Sequence, residues 1–447
     1  MNSTETQGVL AENTFRAARR GRGGKDVFAE SRECSWADFK VLPMPNRRME
    51  EWRFASLSSL DFSRFSLPGP VTPETAAALV ARSDAVPDAA GTLVFADDSL
   101  VFATLDPALA ALGVTFAPMR ALTPEQRLEA KPYFFVSGGG ICSEKISALH
   151  RAYADGGAYL LHVPAGVKVE KPFVVHHWIS ASGVATFPYA LVIAEENSSV
   201  VFLDFFRSKN EAPGKASREA AARALAISRL EIFAKAGADV SRKLVQDTAT
   251  DTDFYQQEWT HVHENANVRG IALNLGARRS RTTTELRLEG RGARADLFSL
   301  TVADGEQEAD QRTMQRHVSP DATSNLLFKN VLLDRSRTIF GGSIVVAPEA
   351  QRTNAVQSNR NLILSPDAES HSLPGLEIDA NDVSCSHGAT NGTLDAEQLF
   401  YLLQRGIPEN EARALLVRGF FEEVIGKVES SAVSETLRAA VARKFER

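Results

Sequence analysis

The stretch ENANVRGIALNLGARRSRTTTELRLEGRGARADLFSL, residues 264–300, contains one short turn twice, as Asn265-Ala266-Asn267-Val268 and as Gly292-Ala293-Arg294-Ala295. Between and around the copies lie short runs rich in Val, Ile, Leu, Phe and Thr, broken by small polar residues, which is the text of strands. The turn recurs upstream as Gly237-Ala238-Asp239-Val240 and downstream as Asp321-Ala322-Thr323-Ser324, so its alanines step by 28, 27 and 29 residues. A further DAES at Asp367 to Ser370 places Ala368 another 46 residues on, which fits two shorter coils. Self-similarity at a near-fixed period in strand-rich text predicts a β-solenoid, whose coils bury their apolar faces only by stacking. An ordinary β-sandwich with similar turns is the alternative.

Working outward, the chain divides into an N-terminal arm over residues 1–25, expected to be frayed, a helical and mixed region over 26–140, a strand-rich core over 141–392 and a helical tail over 393–447. In the second region Thr72 and Pro73 suit a helix start, threonine as cap and proline in the first turn. Residues 207–224, RSKNEAPGKASREAAARA, are charged and small and read as a mobile loop bulging from a coil. The tail starts with Asp395 as cap, Gln398 three residues on as in a capping box, and Leu394 placed to staple onto Leu399. Gly406 ends that helix and Pro408 opens the next, which carries one stripe of Ala412, Leu415, Leu416 and Phe420 and another of Val417, Phe421, Val424, Ile425 and Val428. One stripe suffices for self-packing, so the second leaves open whether the tail is a small bundle with its own core or a docking surface.

Composition narrows the function. With 447 residues, 44% hydrophobic, the chain has material for a large core, and a net charge of −6 argues against a nucleic-acid surface. Its longest apolar stretches fall far short of the roughly 20 residues a membrane span needs. No secretory signal follows the N-terminal arginines, and the chain reads as cytoplasmic. Three scattered cysteines fit a reducing compartment, and because an iron–sulfur cluster usually needs four protein ligands, any cluster here requires a partner's. SGGGICSEK (137–145) lacks the phosphate-loop spacing, FGGS (340–343) is too short to judge, and neither a G-x-S-x-G elbow nor an H-E-x-x-H helix occurs.

Candidate chemistry rests on a few residues. Cys385 and His387 stand two apart, so on an extended segment both leave one face and a thiolate and an imidazole can address one metal. Against that, a free cysteine often behaves as a small buried hydrophobe. His261 and His263 form a second such pair, which also fits ordinary positions of an alternating strand. His176 and His177 are adjacent and point to opposite faces of a strand.

Two segments carry a family resemblance: PNRRMEEWRFASL near the start, and the long run from FGGSIVVAPEAQRTNAVQSNRNLILSPDAESHSLPGLEIDANDVSCSHGAT to LLQRGI (340–407). They resemble the SufB/SufD family of the SUF iron–sulfur cluster assembly scaffold, over most of the chain beyond residue 25. The resemblance implies a right-handed parallel β-helix flanked by N-terminal and C-terminal helical regions. It implies pairing with SufB through the β-helices and docking of the SufC ATPase on the C-terminal helices, with Leu399, Phe400, Tyr401, Arg405, Leu416, Phe420 and Phe421 as candidate contacts. It further implies that Cys385 and His387 lie at the SufB joint as ligands of a nascent cluster or of iron, with no cofactor held stably.

In this reading the chain is a non-enzymatic scaffold of the SufD type. SufB-like members carry a cysteine after glutamine where this chain has Gln357-Ser358, and a serine there cannot accept sulfur as a thiolate does. Self-pairing without SufB is expected as well, since a surface that pairs with a paralogue often pairs with itself. A SufB-like paralogue and a solenoid lyase or acyltransferase are the rival readings, although no acidic or basic cluster stands out along a coil face.

Overall fold

The computed structural model describes residues 7–20, 26, 28–84, 86, 88–138, 141–210, 215–217, 222–427, 434–435, 438–439 and 441–442. Helices α1 (Glu12–Arg20), α2 (Ala29–Val41), α3 (Pro73–Ala81), α4 (Pro107–Ala111), α5 (Pro124–Ala130) and α6 (Glu144–Tyr153) interleave with strands β1 (Gly91–Ala96), β2 (Ser99–Leu105) and β3 (Thr115–Pro118). Then follow β4 (Ala158–Val163), β5 (Phe173–Ile179), β6 (Val184–Thr186), β7 (Tyr189–Ala194), β8 (Ser199–Ser208), β9 (Ala224–Ala234), β10 (Asp239–Asp247), β11 (Thr252–Val262) and β12 (Asn267–Asn274). The series continues through β13 (Arg279–Leu288), β14 (Arg294–Ala303), β15 (Glu308–His317), β16 (Thr323–Leu332), β17 (Arg337–Val346), β18 (Thr353–Ile363), β19 (Glu369–Ile378) and β20 (Val383–Gly392). Helices α7 (Ala396–Gln404) and α8 (Glu409–Ile425) close it.

Successive strands alternate between two sheets, ordered β2-β1-β5-β8-β10-β12-β14-β16-β18-β20 and β19-β17-β15-β13-β11-β9-β7-β4-β3. From β8 onward each pairs in parallel with the strand one coil later. A sandwich of antiparallel hairpins is thereby excluded, and the fold is a parallel β-solenoid of about eight turns with helices at both ends.

The repeated turn is the corner of each coil. Asn197, Gly237, Asn265, Gly292, Asp321 and Arg352 all take positive φ, between +52° and +68°, a conformation that Gly, Asn and Asp enter at least cost. Each passes a hydrogen bond to the next coil: Gly237 N–H to the Glu264 carbonyl at 2.8 Å, Asn265 to Arg291 at 2.9 Å, Asp321 to Gln351 at 2.9 Å. The alanine that follows is buried in the stack at positions 238, 266, 293 and 322. Where a glycine follows an asparagine in this column, the place of its missing Cβ is taken, by Asn197 Oδ1 beneath Gly237 and Asn265 Oδ1 beneath Gly292. Ala368 does not continue the column: it precedes β19 in the other sheet, and the next member is Arg352, before β18. The expected pair of short coils is therefore a full coil plus a half, because both corners use similar turns.

The lumen between the sheets is filled by rows such as Val200, Val240, Val268 and Ala295, with Leu230, Ile232 and Leu286 opposite. At its start Leu93, Phe95 and Phe116 plug it, with Leu105 and Leu109 packed against them. Deeper in, Asp204 is buried and accepts from Tyr159 Oη at 2.8 Å, while Arg242 pairs with Glu258 at 2.9 Å. FGGS also belongs to packing: the Gly341 backbone lies under the Arg312 guanidinium and that of Gly342 under the Gln357 carboxamide.

Residues 7–20 are not a frayed arm. Val9 and Phe15 are fully buried, and Phe15 stacks on Trp36 of α2 at 4.6 Å, while Trp36 Nε1 donates to Glu12 at 2.5 Å. Residues 1–6 and 21–25 lie outside the described set. The segment after α2 is strapped across the outer face of one sheet. Trp52 stacks under Arg281 of β13 at 3.8 Å, Ser56 N–H donates to Glu308 of β15 at 2.9 Å, and Phe54 stacks on His371 of β19 at 5.1 Å. Of the 207–224 insertion, 211–214 and 218–221 are likewise outside the described residues, and Lys215 pairs with Asp334 at 2.7 Å. On the outer face of the opposite sheet α8 lays Val417, Phe421, Val424 and Ile425 onto Phe298, Leu300, Leu327 and Val331, so the tail forms one apolar cluster with the sheet, apart from the lumen, and is not a separate bundle. Val428 lies outside the described residues.

Two outcomes follow from this packing. Replacing Gly292 by Ala puts a Cβ into a left-handed site already filled by Asn265, and urea denaturation is expected to show a loss of about 1–3 kcal/mol. Burial pushes Asp204 from 3.8 up to about 6, so the folded state holds a proton that the unfolded chain has released, and stability falls as pH rises from about 4 to 6. Asp204→Asn keeps the acceptor for Tyr159, and melting curves are expected to flatten across that window and to gain up to about 3 kcal/mol at pH 7.

Candidate solenoid-end site

Cys385 and His387 lie on β20, the last strand of its sheet, opposite Ala355 and Gln357 of β18. The two-residue spacing puts both on one face, as the sequence predicts, and the register with β18 makes that the lumen face. Cys385 is half-buried against Ile344, Val346, Ala355 and Ala380, and this burial raises its thiol above its ordinary value; His387 is exposed.

Unlike the start, where the plugging side chains are buried, the last strands β19 and β20 are half-buried to exposed, and no strand among the described residues pairs beyond them, so this end is open among those residues. Asn354 N–H donates to the Ala322 carbonyl in the preceding coil, so the odd residues of β18 face β20, and in β20 the even residues face back. The backbone groups of Cys385, His387, Ala389 and Asn391 consequently point out over the open edge. On the neighbouring edge strand β19 the parity is reversed: Glu369 N–H donates back to Ser336, so the even residues face out and Pro374 takes an outward position that needs no N–H.

Among the described residues no group of three or more His, Cys, Asp or Glu could hold a metal. Cys142 is buried and its thiol pushed far up by that burial, and Cys34 is exposed on α2. Cys385 and His387 thus supply at most part of a ligand set, with an open side for donors from elsewhere.

The other histidine pairs serve packing. His261 stacks on Phe233 at 4.5 Å, contacts Ser137 Oγ at 2.8 Å and Glu289 at 3.0 Å, while His263 follows the end of β11, its imidazole held below its usual value by burial. The Ser137-His261-Glu289 line has the order of a hydrolase triad. Ser137 is buried, however, and its own N–H donates to Glu231 at 2.9 Å, so the serine straps residues 135–137 onto the sheet. His176 stacks on Phe205 and His177 on Phe95 and Phe206, on opposite faces as expected, and burial holds both near 3.

In the tail Asp395 caps α7, accepting from Glu397 N at 2.8 Å and Gln398 N at 3.1 Å, and Gly406 takes φ +80°. Phe400 and Tyr401 stand out 59% and 56% exposed, with the Arg405 guanidinium 5.1 Å over the Tyr401 ring. Leu399, Leu416 and Phe420 are half-buried, Phe420 beneath the Lys329 ammonium. Phe421 is fully buried against the sheet and is removed from the exposed set. Leu403 and Leu415 join that set, missed because their stripe looks no different in sequence from the buried one.

Residues 177–420 match the SufBD core domain of the SUF system for FeS cluster assembly. A SufBD family iron-sulfur cluster assembly protein of Mycobacterium bovis is 36% identical over 210 residues, which are 45% of this chain and 53% of that protein, so the match spans about half the relative's length. The iron-sulfur cluster assembly protein SufD of Bacillus subtilis is 27% identical over 417 residues, 90% of each chain. A SufBD family protein of Synechocystis is 27% identical over 403 residues, 90% of this chain and 87% of that one. No helix among the described residues is long and apolar enough to cross a membrane. With more than half its length in the core domain and its solenoid built from those residues, the chain belongs to the SufBD family of the SUF iron–sulfur cluster assembly system.

Proposed function

We propose that this chain is a SufD-type, non-enzymatic scaffold subunit in the cytoplasm, which joins a SufB-type paralogue at the open solenoid end and presents Cys385 and His387 there to a nascent cluster or iron as cargo. The observation that carries the reading is the pairing of an unplugged lumen with two potential ligands on an exposed edge strand. An edge with its backbone groups unpaired accepts another strand. Ser358, on β18 beside Gly388 of β20, has no thiol to receive sulfur, which favours SufD over SufB. Phe400, Tyr401, Leu403 and Leu415 are exposed apolar groups on α7 and α8, the kind of anchors that a partner such as the SufC ATPase covers. The solenoid-enzyme alternative finds no support in the triad-like Ser137-His261-Glu289 arrangement, whose serine is buried.

Coexpression with the SufB-type and SufC-type chains, and purification through a tag on this one, is expected to yield an assembly containing all three. Recovery of this chain alone beside soluble partners would sink the proposal. In the assembled complex, Cys385→Ala with His387→Ala is expected to lower retained iron roughly tenfold or more, read by metal analysis, without loss of subunits. Phe400→Ala with Tyr401→Ala is expected to weaken capture of the ATPase by roughly 30-fold or more in titration calorimetry, leaving the SufB-type subunit bound.

A further inference from the structure

One row of polar side chains runs in register along the solenoid on the lumen side: Gln246, Asn274, Thr301, Asn330, Asn361 and Asn391, one from each of six successive coils. The row is not one continuous chain, since Gln246 Nε2 donates within its own coil to Thr248, Asn361 Nδ2 also donates to Asn359 in its own strand, and Asn274 Oδ1 and Asn330 Oδ1 accept no bond, but three of its amides reach the next rung toward β20. Asn274 Nδ2 donates to Thr301 Oγ1 at 3.4 Å, Asn330 Nδ2 to Asn361 Oδ1 at 2.7 Å, and Asn361 Nδ2 to Asn391 Oδ1 at 2.8 Å. Asn330 and Asn361 are buried, whereas Asn391 is exposed at the open end. The last two links therefore run to the edge, where Asn391, its Oδ1 taken by Asn361, keeps its carboxamide N–H groups for a partner, on a residue whose backbone groups also face outward.

We propose that Asn391 is the register-setting contact of this edge, and that its occupant is the paralogous solenoid, which carries the next rung as a side-chain amide or hydroxyl oxygen. This rests on the scaffold reading above. The rest of β20 does little to fix register, since Ser384, Ser386, Gly388, Ala389 and Gly392 are small and exposed or nearly so, and strands of that kind slip. A one-residue slip would turn every partner side chain to the wrong face, and a two-residue slip would carry it roughly 6.6 Å along the edge, away from Cys385 and His387. A directional donor in the buried row prevents both. The ladder repeats at the inter-strand spacing of about 4.8 Å, which a strand of another solenoid continues and a docked helix does not.

The test uses the full chain and its SufB-type partner, with association measured by titration calorimetry and iron counted in the assembled complex. Asn391→Ala is expected to weaken association about tenfold, the worth of one hydrogen bond at an interface. Asn391→Asp keeps the acceptor for Asn361 but removes the outward donor, and is expected to weaken it at least as much. Both should lower iron retained per assembled complex, which loss of affinity alone would not do. Thr390→Ser, the neighbouring residue on the other face, is expected to change neither.

If both Asn391 variants bind and load iron as the unmodified chain does, the inference is overturned. Ala389→Pro deletes one outward N–H and locates the failure: lost binding there with unchanged Asn391 variants keeps the edge joint and removes the ladder, whereas unchanged binding in all three removes the joint itself. Asn391→Ala that disturbs only self-association of this chain overturns the choice of the paralogue as occupant.

Discussion

Each coil of this protein leaves a line of backbone donors and acceptors unsatisfied until the next coil covers it. That obligation fixes the parallel register, which in turn stacks the corners, aligns the alanines at 238, 266, 293 and 322, and lines up the polar row that ends at Asn391. It also means the structure cannot end quietly. At the start the β1/β2 hairpin and an aromatic plug absorb the obligation; after β20 nothing within the described residues does.

The N-terminal layer braces the stack from outside. Trp52 under Arg281, Ser56 on Glu308 and Phe54 on His371 tie one short segment to strands of three different coils. This gives PNRRMEEWRFASL a physical role: its tryptophan, phenylalanine and Ser56 backbone cross-link coils that otherwise touch only their immediate neighbours. Phe15 and Trp36 anchor the first helices to the same face, which is why residues 7–20 hold a fixed place.

What could be read in the sequence was what is local or periodic. The corner turns betray themselves because a left-handed residue followed by a small one is demanded once per coil; the Asp395 cap, the Gly406 stop and the Cys-x-His spacing are equally short-ranged. The turn at Ala368 misled because the two corners of a coil obey similar steric rules, so composition does not say to which sheet a turn leads. The amide row was invisible because its members are about 30 residues apart and align only through register. Phe421 and Phe400 could not be sorted in or out, since both lie on apolar stripes and only the position of the sheet under α8 decides between them. The arm was misread for a related reason: the partner of Phe15 is Trp36, in another helix.

The contrast between a plugged end and an open one has a stoichiometric consequence. A solenoid open at both ends would present complementary edges without limit and grow into a fibre. Here the last strands of the two sheets, β19 and β20, lie at one end, while β2 and β3 end the sheets at the other, so a joint made through that end engages both terminal strands at once and leaves no equivalent end among the described residues for a third chain.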